Sequence, residues 1–388
     1  MSDKNINTTI TKQTFIDLGM WLTHPEQHTA EQLKTLLDED ARLPLIKIIN
    51  TYWLGGAFYH SLNINNVWQK LDEELQLYLT ELEQFYVERN QGIKEEAIFA
   101  CNLLQSANIP VVILKGGASL FNGVFNPISQ RFMTDIDLLV PEELQDKANS
   151  ILLAAGYAQQ IEEHDHASVG HHHAPALFRE NGKCCVELHR WVLKKSVSDV
   201  LSTEDVWQQA TPLQLNDSLS VLQMEPNQQM VLSIAHSEIS HNGFADKHID
   251  WRQLLNAYAI AQYYEPQLNW LSINEHFARC NKTAPMQALL IAAYKYFKFN
   301  TAITLINDQQ ANAQIDECIN LYVKRQSSAN KYGHLVAVLK GYSKETIELN
   351  YGNKGSFPLL TGRFKHFKRH LYMLTTPKYL KRFLSKVK

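Results

Sequence analysis

A chain of 388 residues, 45% apolar and 20% charged, has the make-up of an ordinary globular protein, long enough for a large core and roughly two or three domains. Its 37 basic and 40 acidic side chains leave a formal charge of -3, which gives no overall case for nucleic acid as a partner. No apolar run approaches the length of a membrane span, and the polar start MSDKNINTTITKQ lacks the basic-then-apolar order of a signal peptide. The 5 cysteines include no Cys-x-x-Cys pair, so the expected setting is reducing and cytoplasmic.

Residues 1–106 read as an N-terminal helical region. Leu33, Leu36 and Leu37 recur at helical spacing before Asp38-Glu39-Asp40, and 45–62 is apolar enough for a buried helix that Gly55-Gly56 can bend. Residues 68–106 are long and amphipathic, with Leu71, Leu75, Tyr78, Leu82, Phe85 and Tyr86 set among Glu and Gln. They form one helix, or two broken near Asn90-Gln91-Gly92. A stripe at this spacing is packing surface.

Asn108-Ile109-Pro110 ends the helix, and the stretch that follows carries the chemistry. Val111 to Leu114 is an unbroken apolar run that predicts a buried strand, and Lys115-Gly116-Gly117 turns it into a short helix through Ser119. Residues 136–140 predict a second strand, entered through Asp135 and interrupted by Asp137. Residues two apart share one face of a strand, so the two carboxylates lie side by side among Ile136, Leu138, Leu139 and Val140. Like charges held there need a cation between them, and hard oxygen ligands suit Mg²⁺ or Mn²⁺ better than zinc. The glycine corner offers backbone N–H groups to phosphate at Gly116, Gly117 and Ser119, and Lys115 and Arg131 add positive charge. Metal plus phosphate points to nucleotide chemistry.

Pro141-Glu142-Glu143 opens a helix that Gly156 stops. His164, Asp165, His166, His171, His172 and His173 then form a dense imidazole cluster, readable as a transition-metal site, as a rim contacting substrate, or as a solvated loop. Asn181-Gly182 between two apolar segments predicts a hairpin, and its second strand, 184–191, places Cys185, Glu187 and His189 on one face. Glu187 can complete a set of three carboxylates, and His172, His173 and His189 are candidates for contact with substrate. Beyond residue 196 the pattern is helical over 201–209, 225–239, 251–264, 270–280, 285–297 and 312–324. Within it, His241 and Arg252 are candidates to clamp acceptor or phosphates. Residues 361–388 form a basic amphipathic tail, from Arg363 and Lys365 to Lys388, with no acid among them. It reads either as a docked terminal helix or as a peripheral contact with an anionic membrane.

The strand, the Gly-Gly corner, the short helix and the Asp-x-Asp strand together resemble the DNA polymerase β-like nucleotidyltransferase superfamily. LKGGASL, Arg131 and DIDLLV resemble more narrowly a family of uncharacterised bacterial nucleotidyltransferases, often encoded beside polysaccharide or peptide-modification genes. The resemblance implies a third acid on a later strand, in an apolar-acid-Leu-His-aromatic context. Val186-Glu187-Leu188-His189-Arg190-Trp191 fits, with Arg190 inserted before the aromatic residue. The expected fold is therefore α+β, a small mixed sheet in a nucleotidyltransferase core at 107–195, packed with the N-terminal helices and a C-terminal helical region at 196–360. The expected activity is Mg²⁺-dependent transfer of a nucleoside monophosphate from an NTP to an acceptor that is a small molecule, glycan or peptide. Two alternatives stand beside it: a nucleotide-binding regulatory protein that transfers nothing, and a metal hydrolase built on the histidine cluster.

Overall fold

The computed structural model describes residues 10–64, 67–159, 172–180, 182–299 and 309–328. His164, Asp165, His166, His171, Asn181 and the basic tail 361–388 lie outside these residues. The chain divides into two units, Met1–Gln160 with Ala167–Val323 and Ile161–His166 with Lys324–Lys388. The architecture described here is that of the first.

Five helices come first: α1 (Lys12–Thr23), α2 (Ala30–Leu37), α3 (Glu39–Thr51), α4 (Gly55–Ile64) and α5 (Glu73–Ser106). Thr11 and Thr29 close capping boxes at the starts of α1 and α2, and Asp38 and Asp72 accept backbone N–H bonds at the starts of α3 and α5. The stretch 45–62, read as one bent helix, is two. The Leu54 N–H returns to the Ile49 carbonyl over 2.9 Å, which ends α3 with Trp53 at φ +56°. α5, in contrast, runs unbroken through Asn90-Gln91-Gly92. Gly92 is there for clearance, since a Cβ on it would lie 2.4 Å from Lys183 Cγ.

The middle of the chain alternates: β1 (Val112–Ile113), α6 (Lys115–Ser119), β2 (Asp135–Leu139), α7 (Gln145–Ala154), β3 (Tyr157–Gln159), β4 (Leu177–Arg179), β5 (Cys185–His189), α8 (Thr203–Gln209), β6 (Thr211–Asn216) and β7 (Leu219–Gln223). Together the strands make one 7-stranded mixed sheet in the order β3-β4-β5-β2-β1-β7-β6. The pair β6–β7 lies in the C-terminal region read from sequence as mainly helical, in the gap left between the helices expected at 201–209 and 225–239. Leu213, Leu215, Leu219 and Val221 are buried and alternate with polar neighbours about the Asn216-Asp217-Ser218 turn, and β7 pairs in parallel with β1. The fold is α+β.

Ile136, Leu138, Val186 and Leu188 point to one face of the sheet, into a core shared with Ile93, Ala97, Cys101 and Leu104 of α5 and Ala148 and Leu152 of α7. Asp135, Asp137, Glu187 and His189 therefore take the opposite face. The described residues end with α9 (Pro226–Ile234), which widens into a π-helical turn Ala235–Ser240, then α10 (Trp251–Tyr263), α11 (Trp270–Arg279), α12 (Thr283–Phe297) and α13 (Gln309–Ser328). α12 returns to α1 closely enough that a Cβ on Gly19 would lie 1.9 Å from the Tyr296 carbonyl oxygen, and Phe15 stacks on Trp251 at 5.0 Å. No described helix is long and apolar enough to cross a membrane.

Candidate functional site

β2 and β5 run in parallel with Asp135 opposite Cys185, Asp137 opposite Glu187 and Leu139 opposite His189. Strand alternation thus brings the carboxylates of two separate segments to one spot. Ligand atoms of Asp135, Cys185 and Glu187 lie within 4.8 Å of one another, as do those of Asp137, Glu187 and His189. Oxygens dominate both groups, and that donor chemistry fits a hard divalent cation.

The protein supplies part of the missing positive charge itself. Lys115 Nζ donates to Asp137 Oδ1 at 2.6 Å, and His189 Nε2 donates to the same oxygen at 2.7 Å. Burial works against the Asp137 carboxylate, but the Lys115 charge and the His189 hydrogen bond outweigh it and hold its pKa far below the usual range. Asp135 goes the other way, pushed up by burial and then by the Asp137 charge. The pKa of Glu187 falls in spite of burial, because His189 lies 3.5 Å from its Oε2. Burial likewise opposes the protonated forms of Lys115 and His189, yet both are raised by the acids they hold.

Lys115 begins α6 at φ +49°, and that helix is only 5 residues long. Its dipole is correspondingly small, so most of the attraction for an anion comes from side chains. Gly116 lies directly under Arg131: a Cβ there would be 1.7 Å from Arg131 Nη1. The guanidinium is buried at 9% exposure, its Nε donates to Asn256 Oδ1 at 2.8 Å, and burial and then the Arg252 charge lower its pKa to about 10. Asn256 is itself held by Ser233 at 3.0 Å.

The loop from Ile128 to Thr134 is fixed from the helical side. Asn90 Nδ2 donates to the Ile128 and Arg131 carbonyls at 2.6 and 2.7 Å, and Arg89 Nε donates to the Met133 carbonyl at 2.5 Å. Gly56 permits the approach, because a Cβ on it would lie 1.9 Å from the Ser129 carbonyl oxygen.

These residues floor a cleft of about 360 Å³, within the size range of small-molecule sites. Lys115, Gly116, Arg131, Asp135, Asp137, Glu187, His172, His173, His241 and Arg252, all singled out from sequence, line it. Gly117 and Ser119 do not: both are buried in α6, Ser119 at 3% exposure, and a Cβ on Gly117 would press on Ile113. His189 was expected to touch substrate. At 0% exposure it cannot, and it acts on Asp137 and Glu187 from behind.

Sequence reasoning did not single out Lys194, His236, Ser240 or Gln253, which also line the cleft. His236 and His241 owe their meeting to the π-helical turn. Five residues apart, they would diverge on an α-helix, but the widened turn closes a His241 N–H bond to the His236 carbonyl at 3.0 Å and brings the rings to 4.2 Å. A short bridge between His173 and His189 similarly carries His172 to 5.0 Å from His189. Burial keeps the cleft imidazoles neutral: the pKa of His172 falls to about 2, and His173, His236 and His241 are lowered too.

Fold and site define an α+β protein whose cleft brings an acid cluster able to hold a metal ion beside Lys115, Arg131, Lys194 and Arg252. Residues 38–298 match the family model described as uncharacterised nucleotidyltransferase, and the chain belongs to that family. No curated protein and no solved structure matches it.

Proposed function

We propose that the protein transfers a nucleoside monophosphate from an NTP to an acceptor hydroxyl or phosphate and releases pyrophosphate. The observation that carries this reading is the convergence of Asp135, Asp137 and Glu187 from adjacent parallel strands onto a cleft also lined by Lys115, Arg131 and Arg252. Asp135, Asp137 and Glu187 would hold Mg²⁺ or Mn²⁺, which would supply charge neutralisation at the α-phosphate and acidify the acceptor hydroxyl.

The side chains do the rest. Asp137, ionised at any physiological pH, is a permanent anion at the floor. Lys115 and Arg131, with the backbone at Gly116, face the phosphates and balance their charge. Arg131 is held in place by Asn256, so little reorganisation is needed when a phosphate arrives. Glu187, kept ionised by His189, accepts the acceptor's proton as the acceptor oxygen bonds to the α-phosphorus. The bond from that phosphorus to the bridging oxygen breaks, and the electron pair leaves with pyrophosphate. His172, His173, His241 and Arg252 line the remaining wall, where the acceptor would lie.

Titration calorimetry with non-hydrolysable NTP analogues, with and without Mg²⁺, tests the reading. Wild type binds only with Mg²⁺, and Asp137→Asn loses that binding and reduces transfer by at least about a hundredfold. Unimpaired transfer by Asp137→Asn sinks the assignment.

A further inference from the structure

Trp53 breaks a local rule of the turn it occupies. It follows the last turn of α3 at φ +56°, a position that glycine or asparagine ordinarily fills because a Cβ crowds the neighbouring carbonyl there. A bulky residue in that conformation carries backbone strain, which is retained where the side chain has a task. Burial is a poor account of the task, since Trp53 stays 45% exposed.

What the ring does is stack. Its centroid lies 4.4 Å from that of Phe132 at an interplanar angle of 11°, and Phe85, 48% exposed, continues the row at 6.2 Å and 27°. Phe132 lines the cleft, and the Arg89 guanidinium lies 5.2 Å from its ring. The support is stiff, because the carbonyls on either side of Phe132, those of Arg131 and Met133, are held by Asn90 and Arg89. Phe132 is also three residues from Asp135, at most roughly 10 Å of extended chain. That is the scale on which a nucleotide separates its base from its phosphates.

We propose that the exposed ring of Trp53, backed by Phe132, which is only 5% exposed and lines the cleft wall, offers the stacking face for the nucleobase of the donor NTP whose phosphates the cleft floor takes. The inference rests on the nucleotidyl-transfer reading. A flat aromatic ring adds to a coplanar row through its π-face, and every nucleobase has one, so the platform binds all four NTPs and leaves discrimination among them to edge contacts.

The test is calorimetric titration, in Mg²⁺, of non-hydrolysable NTP analogues beside inorganic tripolyphosphate, which has the phosphates and no base. Trp53→Ala weakens NTP binding by roughly ten- to a hundredfold and leaves tripolyphosphate unchanged, while Trp53→Phe keeps most of the affinity. Trp53→Gly relieves the φ strain, so it melts no lower than wild type yet loses the same NTP affinity. That combination excludes unfolding as the cause. Full NTP affinity in Trp53→Ala overturns the platform, as does an equal loss for tripolyphosphate; in either case an exposed aromatic surface for the acceptor is what remains. If wild type binds tripolyphosphate and NTP equally well, the base has no site and the proposal also fails. If wild type binds neither, the nucleotidyl-transfer reading itself falls.

Discussion

Asp137 receives two donors on one oxygen, and the consequences are measurable residue by residue. Lys115→Met removes one of them and leaves a buried carboxylate half compensated. The lysine side chain is 21% exposed, so the expected loss is about 2 kcal/mol, below the roughly 3–5 kcal/mol usual for breaking a buried pair. Urea midpoints check this, and added Mg²⁺ should recover more stability in the variant than in wild type. His172 gives a pH signature. Its folded pKa of about 2 lies below the ordinary 6.5, so the unfolded chain takes up a proton that the folded chain refuses, and stability is lost as pH falls below about 6.5. The single-site share at pH 5.5 is at most about 1.4 kcal/mol, reduced by the solvent that reaches a ring only partly buried. His172→Phe should flatten the fall in melting temperature between pH 7.5 and 5.5; an unchanged profile would show that the imidazole is not held neutral.

Elements decide which glycines are indispensable. At Gly56 an alanine Cβ meets a backbone carbonyl, so Gly56→Ala should cost about 3 kcal/mol and disturb the loop that presents Arg131 and Phe132. At Gly116 it meets only the end of the Arg131 side chain. Gly116→Ala should therefore fold normally and bind NTP more weakly, and equal melting temperatures for the two variants would contradict the contrast. The same distinction between local and distant causes governs what was legible beforehand. Asp135 and Asp137 could be put on one face from two-residue alternation alone, which is a property of the strand itself, whereas bringing Glu187 to them takes the pairing of β2 with β5, which only the family resemblance implied. The β6–β7 pair obeys the same alternation but was read as part of a helical region, because its place in the sheet depends on β1, some hundred residues earlier in the chain. The meeting of His236 with His241 needed a π-helical turn, and no local propensity announces that widening. His189 was misjudged for a similar reason: sharing a face with the acids said nothing about its depth. Arg131 was expected to carry charge to the site, yet its anchor, Asn256, is 125 residues distant.

At the scale of the whole molecule, α1 and α12 lock the two ends of the first unit together. Gly19→Val puts extra atoms against the Tyr296 backbone, and the expected result is loss of the entire cooperative transition in calorimetry, with no surviving partial unit. Survival of a separately melting sheet would show that the helices are dispensable. Divalent cation should act on the same transition: millimolar Mg²⁺ with an NTP analogue raises the melting temperature, and chelator reverses the rise. The late origin of Arg131's anchor has a further result, in time. On the ribosome, Asp135, Asp137 and Glu187 emerge well before Asn256, and α12 later still, so the acids wait exposed until about three-quarters of the chain has been made. Under the proposed function, nucleotide affinity should therefore be missing from nascent chains halted before Asn256 and appear in those that extend past α10, where Arg131 gains its acceptor.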